Sequence, residues 1–292
     1  MTNNPWTSLL LALIAFLALM GPTAGAENSD NIMVVGDLFD IAESNLDPAQ
    51  ESSGLLADKA QIVETLVGVN ADMSLTPKLA LSWSQIDDLT WEFKLRDDVY
   101  FHDGSKMTAD DVAFSLERAD KLNSRIPTLL RMESIEVIDP LTIRIKTSDP
   151  NPTLPAALHF AAPLAIISPK SVNDKGEVVA PIGTGPFKFD GYDESTHVLT
   201  VAKNANWWGG EVKLDGIVIK PITDPNTRAL SLENGEVDFT VDVPYNEIEG
   251  LNGKDGVNGT NGVDGKDGAA GKDGLAKVDG DTGVVGTHDG KE

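Results

Sequence analysis

The sequence predicts an α/β fold. From about residue 30, strand and helix signals alternate along the chain with no internal repeat until its end. Hydrophobic residues make up 41% of the 292 residues, enough to bury a substantial core. A third observation sets the limit of that fold. From Gly250 the composition shifts to glycine at every third position, so the packed region is expected to end near residue 249.

The first element is an apolar run, Leu9 to Met20, broken by Gly21-Pro22 and followed by Ala24-Gly25-Ala26. This reads as a secretory signal at residues 1–26, with cleavage before Glu27. Its twelve residues fall short of the roughly 20 that cross a bilayer. No Lys or Arg precedes the run, and an uncleaved anchor is the alternative.

Leu55, Leu56, Ile62, Val63 and Leu66 fall on roughly one face of a helix over Leu55–Val67. Leu89, Trp91, Phe93 and Leu95 alternate with polar residues, as a half-buried strand requires, and the pattern resumes at Val99 and Phe101. Asp103-Gly104 is a turn. Thr108 and Asp111 form a capping-box variant that opens a helix to about Lys121. Ile135 to Lys146 reads as a hairpin hinged at Asp139-Pro140. Pro150, Pro152, Pro155 and Pro163 then argue for a crossing connection or edge segments, since proline donates nothing to a ladder. Strands are expected near Phe187–Phe189, Val198–Ala202 and Ile217–Ile219. Asp224-Pro225 looks like a helix N-cap with proline at the first position, and Asn234-Gly235 like the stop. Val237, Phe239 and Val241 alternate as a final strand.

The tail, 250–292, carries glycine at Gly250, Gly253 and every third position to Gly274, and again at Gly280, Gly283 and Gly286. This is the collagen period, yet the tract holds no proline to pre-set an extended backbone, so an irregular tail is the companion expectation.

Charge and composition exclude several functions. A net charge of −23 argues against nucleic-acid binding, which needs a basic stripe to displace counterions. The acidic surface favours cationic ligands, though ordinary solubility explains it equally. The absence of cysteine removes disulfides, thiolate metal sites, a cysteine nucleophile and a lipid-anchoring cysteine. His102, His159, His197 and His288 show no HxH or HxxxH spacing, so no built-in metal site is expected. No GxSxG elbow marks a hydrolase. Gly183-Thr184-Gly185 is too short for a phosphate loop and reads as a structural turn. Asp97-Asp98 and Asp110-Asp111 read as turn and helix-start chemistry rather than catalytic carboxylates. Trp207-Trp208 could stack on a ligand, but packing over a sheet edge is the expected role. No cofactor and no enzymatic activity are expected.

Four blocks of sequence carry a resemblance. Leu-Thr-Trp-Glu-Phe-Lys-Leu-Arg-Asp-Asp-Val-Tyr-Phe-His-Asp-Gly (Leu89 to Gly104) precedes Met-Thr-Ala-Asp-Asp-Val-Ala-Phe-Ser-Leu-Glu-Arg (Met107 to Arg118). Pro-Ile-Gly-Thr-Gly-Pro-Phe (Pro181 to Phe187), Asn-Ala-Asn-Trp-Trp-Gly-Gly (Asn204 to Gly210), and Asp-Pro-Asn-Thr-Arg-Ala with Asn-Gly-Glu-Val-Asp-Phe (Asp224 to Phe239) follow in order. Over roughly residues 31 to 245 this resembles the family 5 extracellular solute-binding proteins, the oligopeptide-, dipeptide- and nickel-binding components of ABC importers.

The resemblance implies the N-terminal portion of a class II periplasmic-binding-protein-like clamshell, with the lobe region at 27–249 and a smaller inserted subdomain at about 51–165. It implies a peptide or nickel-complex solute, a membrane permease as partner and a place outside the cytoplasm. Binding energy in such a protein biases an open–closed equilibrium and makes or breaks no bond. Family members run to roughly twice this length, so the opposite lobe, with the groups that clamp a peptide's termini, is expected to be missing here. A monomer is expected, with a trimer possible through the tail; a surface stalk trimerised by that tail is the alternative function. Glu51, Leu56, Arg125 and His159 are the residues that rough family position brings to the cleft. Nickel-type relatives place an arginine near the stretch at His159, and none stands here, which disfavours an anionic chelate.

Overall fold

The computed structural model describes residues 31–38, 46–50, 57–159, 163–245, 247 and 285–286. The chain divides into Met1–Asn31 and Ile32–Glu292, and the description below concerns the second unit. The apolar leader and nearly all of the glycine-period tail lie outside the described residues.

The elements run β1 (Ile32–Asp37), β2 (Val67–Val69), β3 (Leu75–Pro77), β4 (Ala80–Asp87), β5 (Thr90–Leu95), α1 (Ala109–Leu122), α2 (Ile126–Leu130), β6 (Met132–Asp139) and β7 (Thr142–Thr147). There follow α3 (Leu154–Ala157), a 3-10 turn (Pro169–Ser171), β8 (Phe187–Asp193), β9 (Val198–Lys203), β10 (Gly216–Pro221), α4 (Pro225–Glu233), β11 (Phe239–Thr240) and β12 (Val285–Gly286). A six-stranded mixed sheet has the order β12-β11-β1-β10-β9-β8, in which β1 is parallel to both β10 and β11. A four-stranded antiparallel sheet has the order β4-β5-β7-β6, and β2-β3 is a separate hairpin. This is the mixed α/β architecture the sequence predicts.

Local chemistry accounts for most of the boundaries. The Asp111 carboxylate accepts from the backbone N–H and the hydroxyl of Thr108, both at 2.8 Å, and so closes the start of α1. At the β6–β7 hinge, Asp139 Oδ1 accepts from Leu141 N–H at 2.8 Å. Asp224 Oδ1 caps α4 by accepting from Thr227 N–H at 2.8 Å, and Gly235 ends it at φ 71°.

Each sheet has its own core. Phe93, Leu95, Val99, Phe101, Ile143 and Ile145 pack against Val112 and Leu116 of α1. Val35, Phe187, Leu199, Val201, Ile217 and Ile219 form the second core. Two extended segments run between the cores and hold them together. In the first, Ile62 and Val63 face the six-stranded sheet while Leu66 and Val67 face the four-stranded one. In the second, Ala165 and Ile167 face the former and Leu164 and Ile166 the latter. They bridge side by side, with Ile166 N–H donating to Glu64 O at 2.8 Å.

This corrects the helix expected over Leu55–Val67. Only residues 57–59 are helical among those described there, and Gln61 at φ 55° turns the chain out of the helix. The apolar spacing arises because the segment is buried on both sides, a situation in which periodicity no longer separates helix from extended chain. The last strand is likewise shorter than expected. Val237 belongs to a small cluster with Ala229, Leu232 and Val243, and only Phe239–Thr240 joins the sheet. The proline-dense stretch contributes the crossing segment and also the short helix α3, with Pro155 in its first turn. Val99 and Phe101 are buried, but no ladder forms there beyond the single bridge Tyr100–Lys106. In the tail, Val285–Gly286 pairs antiparallel with β11.

Candidate functional site

The crossing segment Gln61–Leu66 is the foundation of the site, and three of the sequence blocks converge on it. Gly185 N–H donates to Ile62 O at 3.0 Å. A Cβ on Gly183 would lie 2.0 Å from Ile62 O, and one on Gly185 2.0 Å from Gln61 O. The Gly-Thr-Gly block is therefore a close backbone crossing, not the turn expected from sequence. His102 secures its far side. Gly183 N–H donates to His102 Nδ1 at 3.3 Å, which leaves Nε2–H to donate to Gly185 O at 3.0 Å. Burial holds the His102 imidazole below its ordinary pKa, against the opposing pull of the Gly185 carbonyl.

Thr184, between the two glycines, points its hydroxyl at Glu64, donating to Oε2 at 2.9 Å. The same oxygen accepts from Trp208 Nε1 at 2.8 Å and lies 3.5 Å from Trp207 Nε1. Glu64 is 2% exposed. Burial raises its pKa, opposed by the Trp208 hydrogen bond, the charge of Lys78 and the Thr184 and Trp207 donors. The Arg96 guanidinium sits 4.1 Å from the Trp208 ring centroid, a cation–π contact that braces the indole. The paired tryptophans thus do more than cover a sheet edge: they carry the donors that satisfy a buried carboxylate.

Two adjoining pockets open beside this network. One, of about 370 Å³, is lined by Gln61, Val63, Glu64, Pro186 and Trp207 together with Asp58 and Lys78. The other, of about 320 Å³, shares Asp58 and Lys78 and adds Thr65, Gly68, Thr76 and His159. Both volumes fall in the range of about 300–1,000 Å³ usual for small-ligand sites. Burial raises the pKa of Asp58, while the charges of Lys78 and His159 oppose the rise. Asp58 and Lys78 line both pockets, and the charge of Lys78 acts on both the Asp58 and the Glu64 carboxylates. The arrangement supplies donors, acceptors and both signs of charge; among the described residues no cluster of three or more His, Asp or Glu is placed to hold a metal ion.

Of the residues expected at the cleft, His159 lines the smaller pocket. Arg125 is exposed at the N-cap of α2 and lines neither pocket. Glu51 and Leu56 lie outside the described residues. Sequence reasoning did not single out Asp58, Glu64 or Lys78. The partners of Glu64 are 120, 143 and 144 residues away, so no local spacing marks it.

The remaining sequence blocks serve the frame. Arg228, 1% exposed, donates to the backbone oxygens of Ile222, Thr223, Val241 and Asp242 at 2.7 to 3.1 Å, tying α4 to the chain on either side of it. Asp238 closes a reciprocal pair with Val34: its N–H donates to Val34 O, and its carboxylate accepts from Val34 N–H, both at 2.7 Å. Arg118 forks onto the fully buried Asp47 carboxylate, with both contacts at 2.6 Å.

A mixed sheet joined by paired crossings to a smaller antiparallel sheet, with pockets along the crossing, is the frame of a solute-binding protein. The chain belongs to the bacterial extracellular solute-binding proteins, family 5, whose middle region matches residues 74–271. It is 32% identical over 234 residues to the glutathione-binding protein GsiB of Pectobacterium atrosepticum, covering 77% of this chain and 44% of that one. With GsiB of Escherichia coli K12 the identity is 34%, over 82% of this chain and 47% of the relative. The chain spans about half the length of the curated relatives it matches. Among solved structures, a nickel ABC transporter protein from Bacillus halodurans aligns with a TM-score of 0.67 at 31% identity, covering 76% of this chain and 45% of that one. DppA from Helicobacter pylori, in complex with the peptide STSA, aligns with a TM-score of 0.65 at 29% identity, covering 75% and 48%. These alignments bear out the expected fold, the N-terminal portion of a periplasmic-binding-protein architecture.

Proposed function

We propose that this chain contributes to capture of a small peptide outside the cytoplasm for delivery to an ABC permease. The observation that carries the reading is the family membership joined to relatives whose names specify a tripeptide, glutathione, and to a neighbour holding a bound peptide. The two pockets, both lined by Asp58 and Lys78 and so by charges of both signs, support a peptide as solute. The domain reading belongs to the same proposal: a leader at 1–26, a lobe region at 27–249 with the subdomain at about 51–165, and a tail at 250–292. The separate core of the four-stranded sheet favours that subdomain.

A nickel complex is the second reading, favoured by the nickel ABC transporter protein and by NikA from Staphylococcus aureus in complex with Ni(L-His)2, at 26% identity and a TM-score of 0.67. Calorimetric titration of the purified chain with glutathione, other short peptides and nickel–histidine tests both. Heat from glutathione or a peptide, saturating at one site, supports the first reading. Binding of nickel–histidine alone replaces it with the second, and silence from a verifiably folded chain removes both.

A further inference from the structure

We infer that the open edge of β11 is a strand-acceptor site filled by the tail strand Val285–Gly286, and that two copies of this chain can exchange that strand. The inference concerns the six-stranded sheet and its tail, and it stands whichever solute the pockets hold.

Among the described residues, the two larger sheets end on β4 and β6, and on β8 and β12. Three of these outer strands are broken by register shifts: β4 between Gln85 and Asp87, β6 between Val137 and Asp139, and β8 between Phe189 and Gly191. Such irregularities bend a strand out of line and blunt it as a template for another. β11, beneath β12, pairs with β1 without a shift. It is also firmly seated. Asp238 N–H donates to Val34 O and the Asp238 carboxylate accepts from Val34 N–H, both at 2.7 Å, while the Thr240 hydroxyl donates to Gly36 O at 2.7 Å. Just beyond, Arg228 donates to Val241 O and Asp242 O, and Asp242 at φ 55° turns the chain away. A strand fixed in this way needs no further ordering to receive a partner along its other edge.

The occupant of that edge is β12, antiparallel, with Phe239 opposite Gly286 and Thr240 opposite Val285. Its ladder is two residues long, so few hydrogen bonds hold it and it can detach. β12 adjoins β11 in the sheet but lies far from it in sequence. The stretch between Glu247 and Val285 has a fully extended reach of roughly 120 Å, ample for its strand to be placed on a second copy. A tethered strand meets its own edge at an effective concentration on the order of millimolar, so exchange is set against that value. Exchange is reciprocal: each copy receives in the same register the strand it gives, which closes a two-fold dimer.

The test compares the full chain with the double variant V285P/G286P, in which β12 has no N–H to donate; a chain lacking residues 284–292 takes its place if the double variant fails to fold. Alternation turns one of the two β11 amides toward β1 and the other toward β12. Hydrogen exchange at one of them is therefore expected to be about tenfold faster in the variant, the effect of one net hydrogen bond lost. A synthetic peptide of residues 281–289, added at millimolar concentration, should restore that protection. Sedimentation of the parent chain should show a monomer after refolding at micromolar concentration and a dimer fraction after refolding at millimolar concentration, with no dimer from the variant. Unchanged protection of β11 in the variant overturns the acceptor site. Lost protection that the peptide does not restore overturns it as a site open to a strand from elsewhere. A parent chain that stays monomeric at millimolar concentration, or a variant that dimerises equally, overturns the exchange. The solute-binding reading survives each of these results, since it is tested by ligand titration.

Discussion

Trp208 Nε1 donates to Glu64 Oε2 at 2.8 Å, joining the connection between β9 and β10 to the crossing segment that unites the two cores. The hydrogen bond satisfies a carboxylate that is 2% exposed, and losing its donor leaves that charge worse served. W208F is expected to destabilise the chain by about 1–3 kcal/mol in urea unfolding. The loss should depend on pH in a defined direction. The pKa of Glu64 is raised in the fold above 4.5, so its favourable contribution is fully present below that value and disappears as pH rises through the folded pKa. A missing donor matters most to the ionised form, so the deficit of W208F should widen from acid to neutral pH. A deficit independent of pH removes Glu64 from the explanation.

The Gly-Thr-Gly crossing allows no side chain. Gly183→Ala and Gly185→Ala each drive a methyl group into a backbone oxygen, and a loss of about 3 kcal/mol is expected from each. Gly191→Ala is the control, because a Cβ there meets nothing within 4 Å. Its effect on the melting temperature should be small or slightly favourable, since alanine restricts the unfolded chain. Similar losses at all three positions would refute the close-crossing account.

His102 makes the same crossing sensitive to acid. Its pKa lies below 6.5 because burial disfavours the imidazolium, so the stability it contributes is present above 6.5 and declines as pH falls toward the depressed folded value. Protonation of Nδ1 would also end its acceptance from Gly183 N–H. In H102Q, stability measured across that window should vary less with pH than in the parent. An imidazole resonance that titrates at or above 6.5 in the folded chain contradicts this.

Arg228 serves four carbonyls at once through a planar fork that no other side chain reproduces. R228M should lose about 1–3 kcal/mol of stability, by removing the hydrogen bonds that a 1% exposed side chain makes to four backbone oxygens. R228K should recover only part of that. Hydrogen exchange gives a local readout: protection of β11 amides is expected to fall in both variants.

Much of this fold is written in local pattern. β5, the β6–β7 hairpin, α1 with its Thr108–Asp111 box, and α4 between Asp224 and Gly235 are each set by residues a few positions apart, which sequence displays directly. The helix expected over Leu55–Val67 fails for a tertiary reason. Ile62, Val63 and Leu66 are buried between two cores, so their spacing reports tertiary surroundings and not backbone period. The site was less legible still. Glu64 is one of 46 acidic residues, and what distinguishes it is a set of donors brought from Thr184, Trp207 and Trp208 by the fold. The family resemblance pointed to the region of His159, but not to Asp58 and Lys78, whose relation appears only when the β2–β3 hairpin is set beside the turn at 57–59.

The position of β1 has a consequence for how the molecule comes to be made. Its neighbours are Gly216–Pro221 on one side and Phe239–Thr240 on the other, so during synthesis Ile32–Asp37 emerges long before either partner exists. The antiparallel sheet from Ala80 to Thr147 has all its strands within that one stretch, so it can close before β10 and β11 are made. Until translation passes Pro221, β1 presents two bare edges that invite pairing with other chains, and one edge stays bare until Thr240. A nascent chain of this protein is therefore expected to need protection from self-association longest at its very beginning, and to be released from that need abruptly when its last strands arrive.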